Sequence, residues 1–187
     1  MDKVSDVNRR KLDELAAKDD WRGIANLAAE NLQKDPQNAD WWTIRGYAHA
    51  RLKEFPRAAE CFQEAVRLEP SEMDGWHMLA EAYRAMGQPD RAVRALDSAL
   101  RINQDSATTW YLLGESYYDL KRYDRAAPSY QQAANREPKL AEAWYGLAAS
   151  NYRLGRKAEF ESAMQNLRRV DPKLADRLAA QIAGTPR

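Results

Sequence analysis

WYLLGESYYDLKRYDRAAPSYQQAA, residues 110–134, is the stretch that decides how this chain folds. Trp110, Leu113, Tyr117 and Leu120 fall on one face of an α-helix. Lys121-Arg122-Tyr123-Asp124 predicts a tight turn. Beyond it, Ala126, Tyr130 and Ala133 share one face of a second helix. No segment of the chain alternates as a half-buried strand does. The stretch is therefore a helical hairpin.

Working outward, the hairpin repeats. Trp42, Trp76, Trp110 and Trp144 are spaced 34 residues apart. Gly46, Ala80, Gly114 and Ala148 each follow four residues later. Ala58, Ala92 and Ala126 keep the same step, then Phe62, Leu96, Tyr130 and Met164, then Ala65, Ala99 and Ala133. Pro70, Pro138 and Pro172 close three units. The second unit ends instead in Asn103-Gln104-Asp105, where Asn and Asp are expected to end one helix and cap the next. Four full units result: 39–72, 73–106, 107–140 and 141–174. Small residues let paired helices approach, and aromatics fill what remains. The phased tryptophans are expected in the core. Gly87 and Gly155 fall where a first helix must stop in a left-handed residue. Pro128 removes one bond early in a second helix and predicts a slight bend.

The ends are less regular. In 5–38, Trp21, Leu32 and Pro36 stay in phase, but the first helix lacks the Trp and the small residue. This segment reads as a degenerate first unit. At the far end, 172–183 places Leu174, Leu178 and Ile182 on one stripe, as a capping helix would. Gly184 to Arg187 are expected to fray. No low-complexity linker interrupts 1–187, so a single domain is expected.

With W-x2-L-G-x2-Y, then A-x3-F and a closing proline, the chain resembles the tetratricopeptide-repeat (TPR) family. WYLLGESYYDLKRYDRAAPSYQQAA and AEAWYGLAASNYRLG (141–155) carry the resemblance most clearly. It covers 39–174 strongly and 5–38 weakly. Arg45 stands where leucine is usual, His49 and Asn151 where tyrosine is usual, and Phe160 where a small alanine is usual. The resemblance implies an all-α fold, a right-handed superhelix (α-solenoid) of antiparallel helix pairs. It also implies an adaptor or scaffold that holds a peptide or protein segment in a concave groove lined by first helices.

Carrying the family's groove positions over gives Tyr47 in the first full unit and His77, Glu81 and Arg84 in the second. The third supplies Tyr111, Glu115 and Tyr118, and the fourth Tyr145, Tyr152 and Arg153. Tyrosines are stiff anchors that hydrogen bond from a rim. Asp74, Glu81, Glu115 and Asp119 would favour a partner with apolar anchors and some basic charge. Tyrosine is also common at these positions across the family, so consensus alone would supply several of them. The Lys, Arg and Asn of the carboxylate-clamp subgroup are missing, and no clamp is expected.

Composition narrows the alternatives. Lys and Arg number 29 against 28 Asp and Glu, so no bulk attraction to nucleic acid arises. No apolar run is long enough for a membrane span, and the N-terminal residues do not read as a signal peptide. A cytoplasmic location is expected, or a periplasmic one if a signal has been removed. His49 and His77 lie in different units without metal-ligand spacing, and no cofactor or catalytic motif is found. Cys61 reads as a buried apolar residue. The reading is a non-enzymatic adaptor. The alternatives are a scaffold self-assembling through the Leu174, Leu178 and Ile182 stripe, or a secretion or assembly chaperone.

Overall fold

Each helix begins where a side chain can cap it or a turn releases it. The computed structural model describes residues 5–184; Thr185–Arg187, within the tail expected to fray, lie outside the described residues, as do Met1–Val4. Among the described residues there are eleven helices and no strand. They are α1 (Asp6–Ala17), α2 (Trp21–Lys34), α3 (Ala39–Arg51), α4 (Phe55–Leu68), α5 (Met73–Ala85) and α6 (Pro89–Ile102). Then come α7 (Ala107–Asp119), α8 (Tyr123–Arg136), α9 (Ala141–Arg153), α10 (Lys157–Val170) and α11 (Pro172–Ala183). Asp20, Asn38 and Asp171 cap α2, α3 and α11 by accepting a backbone N–H three residues on. Ser106, not Asp105, caps α7. Asn103 does end α6, but its carboxamide accepts from the Asp105 N–H at 2.8 Å and so shapes the turn instead.

The 34-residue period is written into the backbone. Asp19, Lys53, Gly87, Lys121 and Gly155 all have φ between 53° and 70°, and each is 34 residues from the next. One residue later a backbone N–H reaches back to close the helix end. Asp20 donates to the Leu15 carbonyl, Glu54 to His49, Gln88 to Tyr83, Arg122 to Tyr117 and Arg156 to Asn151, at 2.9–3.0 Å. The segment before residue 39 obeys the same rule through Asp19, although no residue of its first helix is fully buried. Three of the five positions carry a side chain that the left-handed region penalises by about 1–2 kcal/mol. Lys121→Gly is therefore expected to raise stability by about 0.5–1 kcal/mol after glycine's own entropy cost. Urea unfolding checks it. Lys121→Ala, with no conformational relief, should give no gain.

The described helices divide into two compact units, one running up to Ala95 and one from Leu96, with the division inside α6. In the N-terminal unit, α3 packs on α2 and α4, α4 packs on α5, and the first helices α3 and α5 lie side by side. Ala48 and Ala58 are fully buried between them, and the Phe62 ring covers Gly46. A Cβ on Gly46 would sit 2.6 Å from that ring, so only glycine fits. In the C-terminal unit, α7 packs on α8, α8 on α9, α9 on α10, and α11 on both α9 and α10. Leu178 and Ala175 are buried there, with Leu174 and Ile182 packed around them. The stripe that suggested self-assembly is thus engaged by its own chain.

The phased tryptophans are not core residues. Trp42, Trp76, Trp110 and Trp144 are only half-buried, and in the first unit the neighbouring Trp41 is the buried one. Each phased indole lies at the rim of the core and points its N–H at the turn before its helix. Trp42 donates to the Pro36 carbonyl, Trp76 to Pro70, Trp110 to Gln104 and Trp144 to Pro138, all at 2.8–2.9 Å. A polar N–H cannot be buried without a partner at low cost, and the closing turn supplies one. The acceptor is a backbone carbonyl, so Gln104 serves as well as proline. Helix α8 continues through Pro128.

Candidate protein-binding site

The positions predicted to face a partner fall on the first helices, and each unit arranges its own set. In the N-terminal unit Tyr47 is 43% exposed. Its ring meets Trp21 of α2 edge-on at 5.7 Å. The Arg51 guanidinium stacks over Trp21 at 4.0 Å and donates to the Tyr47 hydroxyl at 3.2 Å. This aromatic–cation cluster holds Tyr47 upright on the surface. On α5, Glu81 is exposed and Arg84 half-buried.

His77 is different: its side chain is 13% exposed, and Asp74 lies 4.0 Å away. Burial lowers its pKa, and the Asp74 charge only partly opposes this. A histidine depressed in the folded state takes its proton first in the unfolded state. Stability should therefore decline as pH falls below the ordinary histidine range and onward through the lowered folded value. His77→Gln should flatten this part of the unfolding profile, measured by urea titration between pH 7 and pH 5.

In the C-terminal unit the predicted residues split into two groups. Tyr111 packs against Tyr130 with ring centres 6.0 Å apart, and Glu115 accepts a 2.6 Å hydrogen bond from the Tyr130 hydroxyl. Both support the core from its edge. Tyr118, Tyr145, Tyr152 and Arg153 instead converge on a small recess of about 80 Å³. A hydrogen bond with Tyr118 raises the Arg153 pKa. Tyr118 leans on Tyr123 at 5.0 Å, and Tyr152 on Phe160 at 5.8 Å. Phe160 thus supports a surface tyrosine, whereas Ala58, Ala92 and Ala126 at the equivalent position are fully buried.

Three lining residues lie outside the first helices, on which all the predicted ones fall. Leu178, Gln181 and Ile182 of α11 complete the recess. The Tyr145 hydroxyl donates to the Gln181 carboxamide oxygen at 2.6 Å. The capping stripe in the sequence pointed to α11 packing on its own chain, but nothing in the pattern pairs Gln181 with a residue 36 positions earlier. The recess offers aromatic edges, the aliphatic side chains of Ala149, Leu178 and Ile182, and the exposed cation of Arg153. It can grip an apolar side chain and hydrogen bond the backbone that carries it.

The remaining reactive groups are satisfied within the fold. His49, 8% exposed, meets Glu54 at 2.8 Å, and that bond, with Arg57 beside it, lowers the Glu54 pKa. Burial pushes the Cys61 thiol up to about 11, so it is not a thiolate at neutral pH. Among the described residues, no group of three or more His, Cys, Asp or Glu is placed to hold a metal ion. None of the described helices is long and apolar enough to cross a membrane.

Two family models, both described as tetratricopeptide repeat, match the chain, one over residues 77–139 and 111–175 and the other over 39–72. The chain belongs to the tetratricopeptide-repeat family. Solved structures agree with this TPR fold. One MamA structure superposes with a TM-score of 0.79 at 21% identity, covering 88% of this chain and 90% of that one. YrrB, described as a TPR protein with an unusual peptide-binding site, gives 0.75 at 16% identity over 90% of this chain and 88% of its own. TTC0263, a thermophilic TPR protein of Thermus thermophilus, gives 0.67 at 23% identity over 93% and 96%. A comparison with curated proteins found no match. TPR proteins are in general non-enzymatic scaffolds that bind peptides or proteins, and this chain is a protein-interaction scaffold in that general sense.

Proposed function

We propose that the chain is a non-enzymatic adaptor that seats a protein segment on its first-helix faces, with the recess around Tyr118, Tyr145 and Tyr152 as the main anchor point. The observation that carries this is the convergence of three tyrosines and Arg153 on one recess whose walls are fixed by α9 and α11. Stiff aromatic rings lose little entropy on binding and dominate the energetics of protein interfaces. The segment is expected to present an apolar side chain to the recess. Exposed Asp119 and Glu142, in the same unit, favour basic residues flanking it. Tyr47, with its Trp21 and Arg51 support, serves as a second contact in its own unit. The self-assembling alternative is weaker, because Leu174, Leu178 and Ile182 pack on their own chain.

The test compares parent, Tyr118→Ala/Tyr152→Ala and the exposed Arg153→Glu variant for capture of partners from native lysate, with circular dichroism confirming the fold. A captured partner should bind the double variant at least about tenfold more weakly, as loss of an interface aromatic anchor commonly gives. Equal capture by all three proteins would overturn the reading.

A further inference from the structure

The eleventh residue of each full unit is His49, Tyr83, Tyr117 and Asn151, and the nineteenth is Arg57, Arg91, Arg125 and Glu159. In the second and third units these two positions pair. Arg91 stacks over the Tyr83 ring at 4.1 Å and donates to its hydroxyl at 2.9 Å, and Arg125 lies 5.9 Å from the Tyr117 ring. In the first unit His49 takes the tyrosine's place and binds Glu54 instead. The fourth unit loses both partners. Asparagine replaces the ring, and a shorter glutamate replaces the arginine that would cover it.

A recess of about 440 Å³ lies at that place, between α8, α9 and α10. This falls within the range of small-ligand pockets, about 300–1,000 Å³. Trp144, Leu147 and Pro128 give it apolar walls, and Glu159 and Arg156 stand at its exposed edge. Asn151 also lines it. Asn151 is 3% exposed, yet its carboxamide makes no hydrogen bond to any described residue. The amide opens onto the recess, where a ligand able to donate and accept can bond it. Pro128 has no N–H to give the Asp124 carbonyl, and both residues line the same recess.

We propose that this recess is a socket for a tyrosine side chain presented by a protein partner. It stands where two other units seat a tyrosine of their own. It offers ring-facing apolar walls and an amide that can bond a phenol hydroxyl. This site lies on different residues from the recess around Tyr118 and does not depend on it.

The probe is N-acetyl-tyrosinamide, titrated into the isotope-labelled full chain and followed by NMR. Saturable shifts are expected at the Asn151 side-chain amide and the Trp144 indole N–H. N-acetyl-leucinamide should bind at least fivefold more weakly. Asn151→Tyr/Glu159→Arg restores the pair seen in the other units and should abolish the shifts while raising the unfolding midpoint. Asn151→Ala, which leaves the space but removes the amide, should weaken binding at least threefold and guards against misfolding of the double variant. Tyr118→Ala/Tyr152→Ala should leave probe binding unchanged. Equal shifts with the leucine probe, shifts that persist in the folded Asn151→Tyr/Glu159→Arg protein, or loss of shifts in Tyr118→Ala/Tyr152→Ala would each overturn the proposal.

Discussion

Truncating Tyr130 to alanine is expected to lower unfolding free energy by about 3–5 kcal/mol, the largest single effect in the chain. Tyr130 is 1% exposed, and its ring is clasped between Gly114 of α7 and Gly146 of α9. Around it pack Ala126, Ala127, Leu147 and Met164. At the two closest points of contact the clasping helices present glycines, which have no side chain to move into the space left behind, so the cavity cannot collapse cheaply. The ring also carries the hydrogen bond to Glu115 at 2.6 Å, which goes with it. Urea unfolding of the full chain reads the loss. Tyr130→Phe separates the two contributions, because it removes only the hydrogen bond and should cost about 1 kcal/mol. A Tyr130→Ala protein within about 1 kcal/mol of the parent would show that the ring is not the keystone of its unit.

Gly146→Ala is expected to destabilise by about 1–3 kcal/mol, although alanine is the better helix former by about 1 kcal/mol. The sign is the point of the experiment. A Cβ on Gly146 would lie 2.4 Å from two atoms of the Tyr130 ring, and one on Gly114 would lie 2.6 Å from it. The ring is buried and wedged from both sides, so it cannot swing aside. If the contact is the cause, the cost of Gly146→Ala should largely vanish in a Tyr130→Leu background, where the shorter side chain leaves room. A double-mutant cycle by urea unfolding gives this coupling directly. A stabilising Gly146→Ala in the parent would contradict the clasp.

The family and the helix pairs were legible because the period leaves several marks per turn of the repeat. A tryptophan and a small residue recur in phase over four copies and spaced alanines over three, which chance does not sustain. Gly87 and Gly155 announced their left-handed ends, since glycine is the residue that takes such angles without cost. Asp19, Lys53 and Lys121 occupy the same angles without any signature of type. Only the phase betrays them. The tryptophans were assigned to the core because size and apolarity dominate such a reading. The indole N–H aimed at a turn carbonyl depends on backbone geometry that hydrophobic pattern does not encode.

The candidate site was partly legible for the same reason. Tyr118, Tyr145, Tyr152 and Arg153 were found by their phase and do converge on one recess. Tyr111 and Glu115 occupy equivalent positions but lean on Tyr130, because that buried phenol needs an acceptor and Glu115 is the one in reach. Gln181 was invisible, since its bond to Tyr145 is made by α11 folding back on α9.

Site-specific photocrosslinking tests the binding account most directly. A benzophenone amino acid placed at position 118, at position 153, or at the exposed position 165 on α10 reports which face a partner covers. The account predicts adducts to one common partner from 118 and 153, and none from 165. Adducts from 165 alone, with 118 and 153 silent, would contradict it.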